Sequence, residues 1–281
     1  MALRRTTVLA WYALSAVALR PSSPTYRRRG FQESGQYGAE PAVLERVSTL
    51  AEARPPFRKI GTVYQRGDDG FAISVDGLEE LRFLRAKEAW SASLGAALWP
   101  SSLALAGLVR GFVKGKSVLE LGSGLGLGGK AAVQAGASRV VCTDIDDELV
   151  EMLGTGAKKL DWCDADTYLG ENFDVVIGAD LAYDLAVVPD LVNAITAHVA
   201  ADGVALIVGE RKRPAMKVLL DALPGARALD YDMERRTILV APVDLPPESF
   251  GIAVVAHAKS QSALDALLDC LEDTAAGASP S

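Results

Sequence analysis

Residues 117–129, Ser-Val-Leu-Glu-Leu-Gly-Ser-Gly-Leu-Gly-Leu-Gly-Gly, bring one acid and a set of alternating glycines together. Val118 and Leu119 are apolar, Glu120 is the acid, and Gly122, Gly124 and Gly126 follow, with Ser123 between the first two. An apolar run that ends in closely spaced glycines reads as a buried strand turning sharply into a helix. Bare glycine lets main-chain N–H groups reach a ligand with no Cβ in the way. The helix expected over 128–134 brings its positive end to the same spot.

Two ligands suit such a turn. Gly124-x-Gly126-x-x-Gly129 formally fits the dinucleotide fingerprint, a weak signal when it stands alone. A pyrophosphate is an anion, however, and would meet Glu120 with only Lys130 nearby to compensate. S-adenosylmethionine carries an ammonium and a sulfonium, and an acid there favours it. A purely structural turn is the third reading. Asp144 adds to the case for S-adenosylmethionine. It ends the β-rich run 137–144, 22 residues beyond Gly122. An acid at about that distance, on the tip of the next parallel strand, is placed to bond ribose hydroxyls. Otherwise it would be a loop acid capping the helix that starts near Asp147.

The elements that must position these groups alternate from residue 117 onward. Strands are expected at 117–121, 139–143, 173–178 and 203–209, and extended runs near 226–241 and 251–257. Helices are expected at 128–135, 147–153, 187–200 and 214–222, with a tail helix over 261–271. This order predicts an α/β fold, a Rossmann-like doubly wound, mostly parallel seven-stranded sheet with ligands at the strand C-termini. An apolar helix over 103–113, introduced by Trp99-Pro100-Ser101-Ser102, precedes it. Earlier still, Thr62–Tyr64 and Phe71–Val75 flank a Gly67-Asp68-Asp69-Gly70 turn and suggest a hairpin. A short helix at 43–52 completes an N-terminal helical and hairpin extension over 31–88. The main domain is then expected over 89–272, with a disordered tail over 273–281.

Composition narrows the function. The chain has 281 residues, is 49% hydrophobic, and carries a net charge of −7. The first 32 residues hold six Arg and no acid, which leaves −13 for the rest. An acidic body disfavours nucleic acid and suits a basic, Lys-bearing partner. Cys142, Cys163 and Cys270 lack metal-ligand spacing and read as free thiols, so no metal is expected. Residues 1–30 read as a presequence: a basic start, an apolar stretch over 7–18 too short to cross a bilayer, then an Arg-, Ser- and Pro-rich run. A plastid or mitochondrion is the expected destination, with a disordered arm on a cytoplasmic protein as the alternative. A monomer with no stable membrane insertion is expected.

Three segments together resemble the seven-strand S-adenosylmethionine methyltransferases, and more narrowly the protein-lysine methyltransferases among them. Leu98-Trp99-Pro100-Ser101-Ser102-Leu103-Ala104-Leu105-Ala106 resembles the Trp-led helix of that family. Residues 118–126 resemble its cofactor loop. Phe173-Asp174-Val175-Val176-Ile177-Gly178-Ala179-Asp180-Leu181-Ala182-Tyr183-Asp184 resembles its fourth strand and the Asp-x-x-Tyr after it. The resemblance implies Asp180 and Tyr183 as catalytic residues acting on a protein lysine. It implies Trp99, Glu120, Gly122, Ser123, Gly124, Gly126, Asp144, Trp162 and Asp180 as contacts to the cofactor. Bland roles stand beside these: Asp180 as a helix cap, Tyr183 as a rim aromatic, Trp99 as a core residue. A small molecule or a histidine could be the acceptor on the same scaffold, or the scaffold could serve as a non-catalytic binding module. The chain departs from the pattern in one place. Only 29 residues separate Asp144 from Asp174, so the third strand is expected to be stunted or missing. That stretch contains Leu160-Asp161-Trp162, the expected adenine wall.

Overall fold

The computed structural model describes residues 95, 98–231 and 250–272 in full. It also describes the backbone of 57–66, 70–74, 81–84, 232–238, 248–249 and 273–275. The expected presequence at 1–30, the helix at 43–52 and the tail beyond 275 lie outside the described residues.

Ten strands among the described residues form one sheet. They are β1 (Phe57–Arg66), β2 (Gly70–Ser74), β3 (Leu81–Leu84), β4 (Ser117–Glu120), β5 (Arg139–Asp144), β6 (Lys158–Lys159), β7 (Phe173–Ala179), β8 (Val199–Glu210), β9 (Arg227–Ile238) and β10 (Glu248–Ala258). Their order is β3-β2-β1-β9-β10-β8-β7-β4-β5-β6. The last seven in that order make the expected doubly wound sheet, with β10 alone antiparallel to its neighbours β8 and β9. The helices are α1 (Pro100–Val109), α2 (Leu127–Gln134), α3 (Asp147–Leu153), α4 (Val188–His198), α5 (Pro214–Ala222) and α6 (Gln261–Ala275).

Burial is nearly continuous along the central strands, and alternate residues enter the two faces of a sheet covered on both sides. Val118, Ile177, Leu206, Val208 and Val254 pack with α1, α2 and α6. Leu119, Val176, Ala205, Ile207 and Val255 pack on the other face with α4 and α5. Helix α1 starts three residues earlier than the sequence suggests, because Pro100 is itself in the first turn. Nearly all its residues are buried. An all-apolar helix has no solvent face and belongs inside.

The two sheet margins bring one difference from expectation and one agreement with it. The hairpin forms, with Arg66 opposite Gly70, but it is part of the sheet and not a separate layer. Strand β1 pairs in parallel with β9, for example Thr62 with Arg236. Without β1, β9 would present a row of open main-chain groups. At the opposite margin the third strand of the classical order is indeed stunted: β6 has two residues, opposite Thr143 and Asp144. Gly154 ends α3 at φ 83°, so the chain has only a short run in which to turn back and pair.

Candidate active site

The chain switches direction along the sheet between β4 and β7. An open parallel sheet leaves a crevice there, beyond the strand C-termini. Leu121 N donates to Ile177 O at 2.9 Å, holding the two strand ends side by side. The turn over 122–126 departs from this point, and its three glycines all have positive φ, 53°, 51° and 73°. At Gly124 a side chain is disfavoured twice. The left-handed backbone strains it, and an added Cβ would lie 2.5 Å from the carbonyl oxygen of Gly95. Gly95, which no periodicity in the sequence marks, packs directly on the turn.

Asp144 stands at the end of β5 and is 7% exposed. Its Oδ2 accepts from Gly124 N at 2.9 Å and its Oδ1 from Asp146 N at 3.2 Å. Burial pushes its carboxyl up, and those N–H bonds oppose the shift. It does not cap α3. Asp146 does, accepting from Glu148 N and Leu149 N. Asp144 is therefore tied to the glycine turn, where a ribose acceptor belongs. Asp144→Ala should weaken S-adenosylmethionine binding by about 1–3 kcal/mol, the cost of a lost charged hydrogen bond. Calorimetry on a variant of normal melting temperature measures it, and an unchanged Kd would remove Asp144 from the site.

Ser123 and Glu120 face inward. Ser123 Oγ donates to Glu120 O at 3.2 Å and accepts from Thr143 N at 3.0 Å, so its hydroxyl fastens β4 to β5. The Glu120 carboxylate is turned to the start of α2, where Gly129 N donates to its Oε2 at 2.9 Å. An added Cβ at Gly128 would collide with it and one at Gly129 would crowd it, so the two glycines supply its space. The sequence places Glu120 at the ligand face. The structure gives it a seat beneath the turn, 3% exposed, from which it holds the start of α2.

Burial raises the Glu120 carboxyl from an ordinary 4.5 to about 7, against the Gly129 and Ser123 bonds that lower it. The folded state thus keeps a proton that the unfolded state has already lost between pH 4.5 and 7. Stability should be highest below that window and fall as pH rises through it, by about 3 kcal/mol in total. Glu120→Gln retains an acceptor for Gly129 and has no charge to bury. Denaturant unfolding of the ligand-free protein at pH 5 and pH 8 should show a flatter response in the variant. An equal drop in both proteins would assign the effect elsewhere.

The aromatic groups converge from three elements. Stunted as β6 is, it delivers Trp162 to the turn: an added Cβ on Gly122 would lie 3.2 Å from the Trp162 ring. Tyr183, 42% exposed, has its ring centroid 6.5 Å from that of Trp162. Asp161 is used locally, accepting from Cys163 N at 2.9 Å. Trp99 is the residue before α1, half-buried, and the guanidinium carbon of Arg213 lies 5.9 Å from its ring centroid.

Asp180 closes β7 and has the single left-handed backbone among the described non-glycine residues, φ 57°. Such strain persists where packing holds it and collects at functional sites. Arg213 Nε donates to its Oδ1 at 3.1 Å. Its Oδ2 is buried with no hydrogen-bond partner, as is Ser101 Oγ. Desolvation pushes its carboxyl up; Arg213 and the nearby Ser101 hydroxyl, the latter outside good hydrogen-bond geometry, oppose that. The helix that follows is entered through Asp184 and Val187, so Asp180 is not its cap.

Comparison with known proteins agrees with this geometry. Residues 79–224 match the family described as lysine methyltransferase. Protein-lysine N-methyltransferase EFM3 of Chaetomium thermophilum is 30% identical over 159 residues, which is 47% of this chain and 47% of the relative. The electron transfer flavoprotein beta subunit lysine methyltransferase of Mus musculus is 31% identical over 130 residues, 42% of this chain and 51% of the relative. A ribosomal protein L11 methyltransferase of Thermotoga maritima is 32% identical over 97 residues, 32% of this chain and 37% of the relative. The chain thus spans about half the length, or less, of the curated relatives it matches. The methyl donor that goes with the family is S-adenosylmethionine, as the charge pattern of the sequence suggests. With a match over half of its length, a span that includes the glycine turn and the Asp180 strand, the chain belongs to the lysine methyltransferase family.

Proposed function

We propose that the chain transfers the methyl group of S-adenosylmethionine to the ε-amine of a lysine in a protein substrate. The observation that supports this best is Asp180. It stands at the switch point with a strained backbone, a buried side chain and one carboxylate oxygen that makes no hydrogen bond of good geometry among the described residues. A buried acceptor without a partner is costly unless a ligand completes it.

The residues present suit the donor. The turn over 122–126 offers bare main chain, Asp144 suits a ribose diol, and Trp162 lies against Gly122 as a wall for a base. When bound, the donor supplies an electrophilic methyl on a sulfonium. The acceptor nitrogen must be neutral, because its lone pair makes the new N–C bond while sulfur keeps the electrons of the bond that breaks. Asp180 Oδ2 accepts an N–H of that amine and fixes its direction. Tyr183, at the surface, lines the approach. Orientation of this kind removes much of the entropic part of a two-reactant barrier.

The acidic body supports a basic protein partner over nucleic acid and a monomeric enzyme. The acid-free first 32 residues support delivery to a plastid or mitochondrion; a fluorescent fusion of residues 1–30 that stays in the cytosol would overturn that address. Tritiated S-adenosylmethionine with lysate proteins as acceptor, followed by residue analysis, tests the activity. Label in methyl-lysine is the expected result. Label in methyl-histidine or in small molecules would replace the acceptor, and tight cofactor binding without transfer would leave a binding module.

A further inference from the structure

Among the described residues, Asp180 is reached from three elements, and only one brings a full positive charge. Ser101 comes from α1, Glu210 from the end of β8, and Arg213 from the residue before α5. Arg213 Nε holds Asp180 Oδ1 at 3.1 Å, with the two side chains 27% and 5% exposed. The guanidinium carbon lies 5.9 Å from the Trp99 ring centroid, and the main chain beneath it is held by Arg213 N, which donates to Glu210 O at 3.0 Å. The contact is through Nε to one oxygen, not a two-pronged grip on both. One oxygen of the carboxylate is consumed by the protein, and the other, Oδ2, is buried without a hydrogen-bond partner among the described residues.

We propose that Arg213 is the positioning residue of the acceptor site: it locks Asp180 through Oδ1 so that Oδ2 alone faces the amine, and its charge selects the amine in its neutral form. This rests on the proposed lysine transfer. The physical reason is the count of charges. Asp180 without Arg213 would be a lone buried carboxylate, and it would hold an incoming lysine most tightly as the ammonium, which has no lone pair to attack with. With the guanidinium already neutralising it, a second cation gains little, while a hydrogen bond from a neutral amine to Oδ2 is still favourable. Arg213 thereby turns an ion trap into a hydrogen-bond acceptor. Glu210 works in the opposite direction, as its negative charge favours the protonated form of Asp180.

The test uses the full chain as Arg213→Gln and Arg213→Lys variants, with two readouts. The first needs no acceptor: the titration of the Asp180 carboxyl, followed by carbon-13 NMR in the presence of S-adenosylhomocysteine. Arg213→Gln should raise its midpoint by about one pH unit or more, and Arg213→Lys should restore most of the shift. The second is the pH profile of tritium transfer to lysate protein. In Arg213→Gln the rate should fall at neutral pH and recover at higher pH, with kcat affected more than KM, and Arg213→Lys should again rescue it. A raised midpoint with an unchanged transfer profile would make the pair structural only and overturn the proposal. An unmoved midpoint would overturn it as well. Absence of methyl-lysine with the wild-type protein would remove the acceptor, and this role for Arg213 with it, while the titration would still report on the ion pair.

Discussion

Asp180→Asn is expected to lower kcat/KM for methyl transfer by at least about 100-fold while S-adenosylmethionine binding stays within a few-fold of wild type. Asparagine is the informative replacement because it tolerates a left-handed backbone better than alanine does. Its side-chain oxygen can still accept from Arg213, so the local structure is kept. What it lacks is the charge, and its amide NH2 in the place of Oδ2 is a donor where the amine needs an acceptor. Tyr183→Phe keeps the ring beside Trp162 and should cost far less. The pair is measured with the acceptor identified by tritium labelling, together with calorimetry for the cofactor. An Asp180→Asn protein with near wild-type kcat/KM would mean that the lysine is positioned elsewhere, and that the strained strand end serves the fold.

Gly124→Val should remove measurable cofactor binding, a loss of about 100-fold or more. The backbone there has φ 51°, and the new Cβ would press into the carbonyl of Gly95, a main-chain atom that cannot rotate aside. The turn must therefore shift, and the Gly124 N–H that meets Asp144 shifts with it. Gly115→Ala provides the comparison. That glycine is also left-handed, φ 73°, but nothing lies within 4 Å of its would-be Cβ. It should lose stability through strain alone, about 1 kcal/mol, and bind the cofactor normally. Normal affinity in Gly124→Val would detach the glycine turn from the ligand altogether.

The sequence makes legible what local chemistry encodes. Helices α3 and α5 have the expected bounds, because an Asp before one and a proline at the start of the other mark their first turns. The central strands are readable from short apolar runs, and the shortage of residues after Asp144 announces the two-residue β6. Features decided at a distance are not legible. Arg213 meets Asp180 across 33 residues, and no motif surrounds it. Gly95 is one small residue whose role exists only against Gly124. The direction of the Glu120 side chain depends on the room left by Gly128 and Gly129, which a strand pattern does not contain. Asp144 and Asp146 are both plausible caps by residue type; only the geometry of the α3 start separates them. The β1–β9 pairing joins the two ends of the sequence order and leaves no local trace.

That pairing sets an order of events during synthesis. The strand Phe57–Arg66 leaves the ribosome long before its partner Arg227–Ile238 exists. The hairpin with β2 is a local contact and is available early, but its docking is among the most remote contacts in the chain, and remote contacts form slowly. Until the last third is made, the nascent hairpin has an open edge, a surface that chaperones and neighbouring chains can capture. The parallel sheet around the glycine turn, whose strands β4 to β8 follow one another closely, needs nothing from that late partner. The half of the sheet that carries the glycine turn is thus free to assemble first, and the first of the described strands is among the last to find its place.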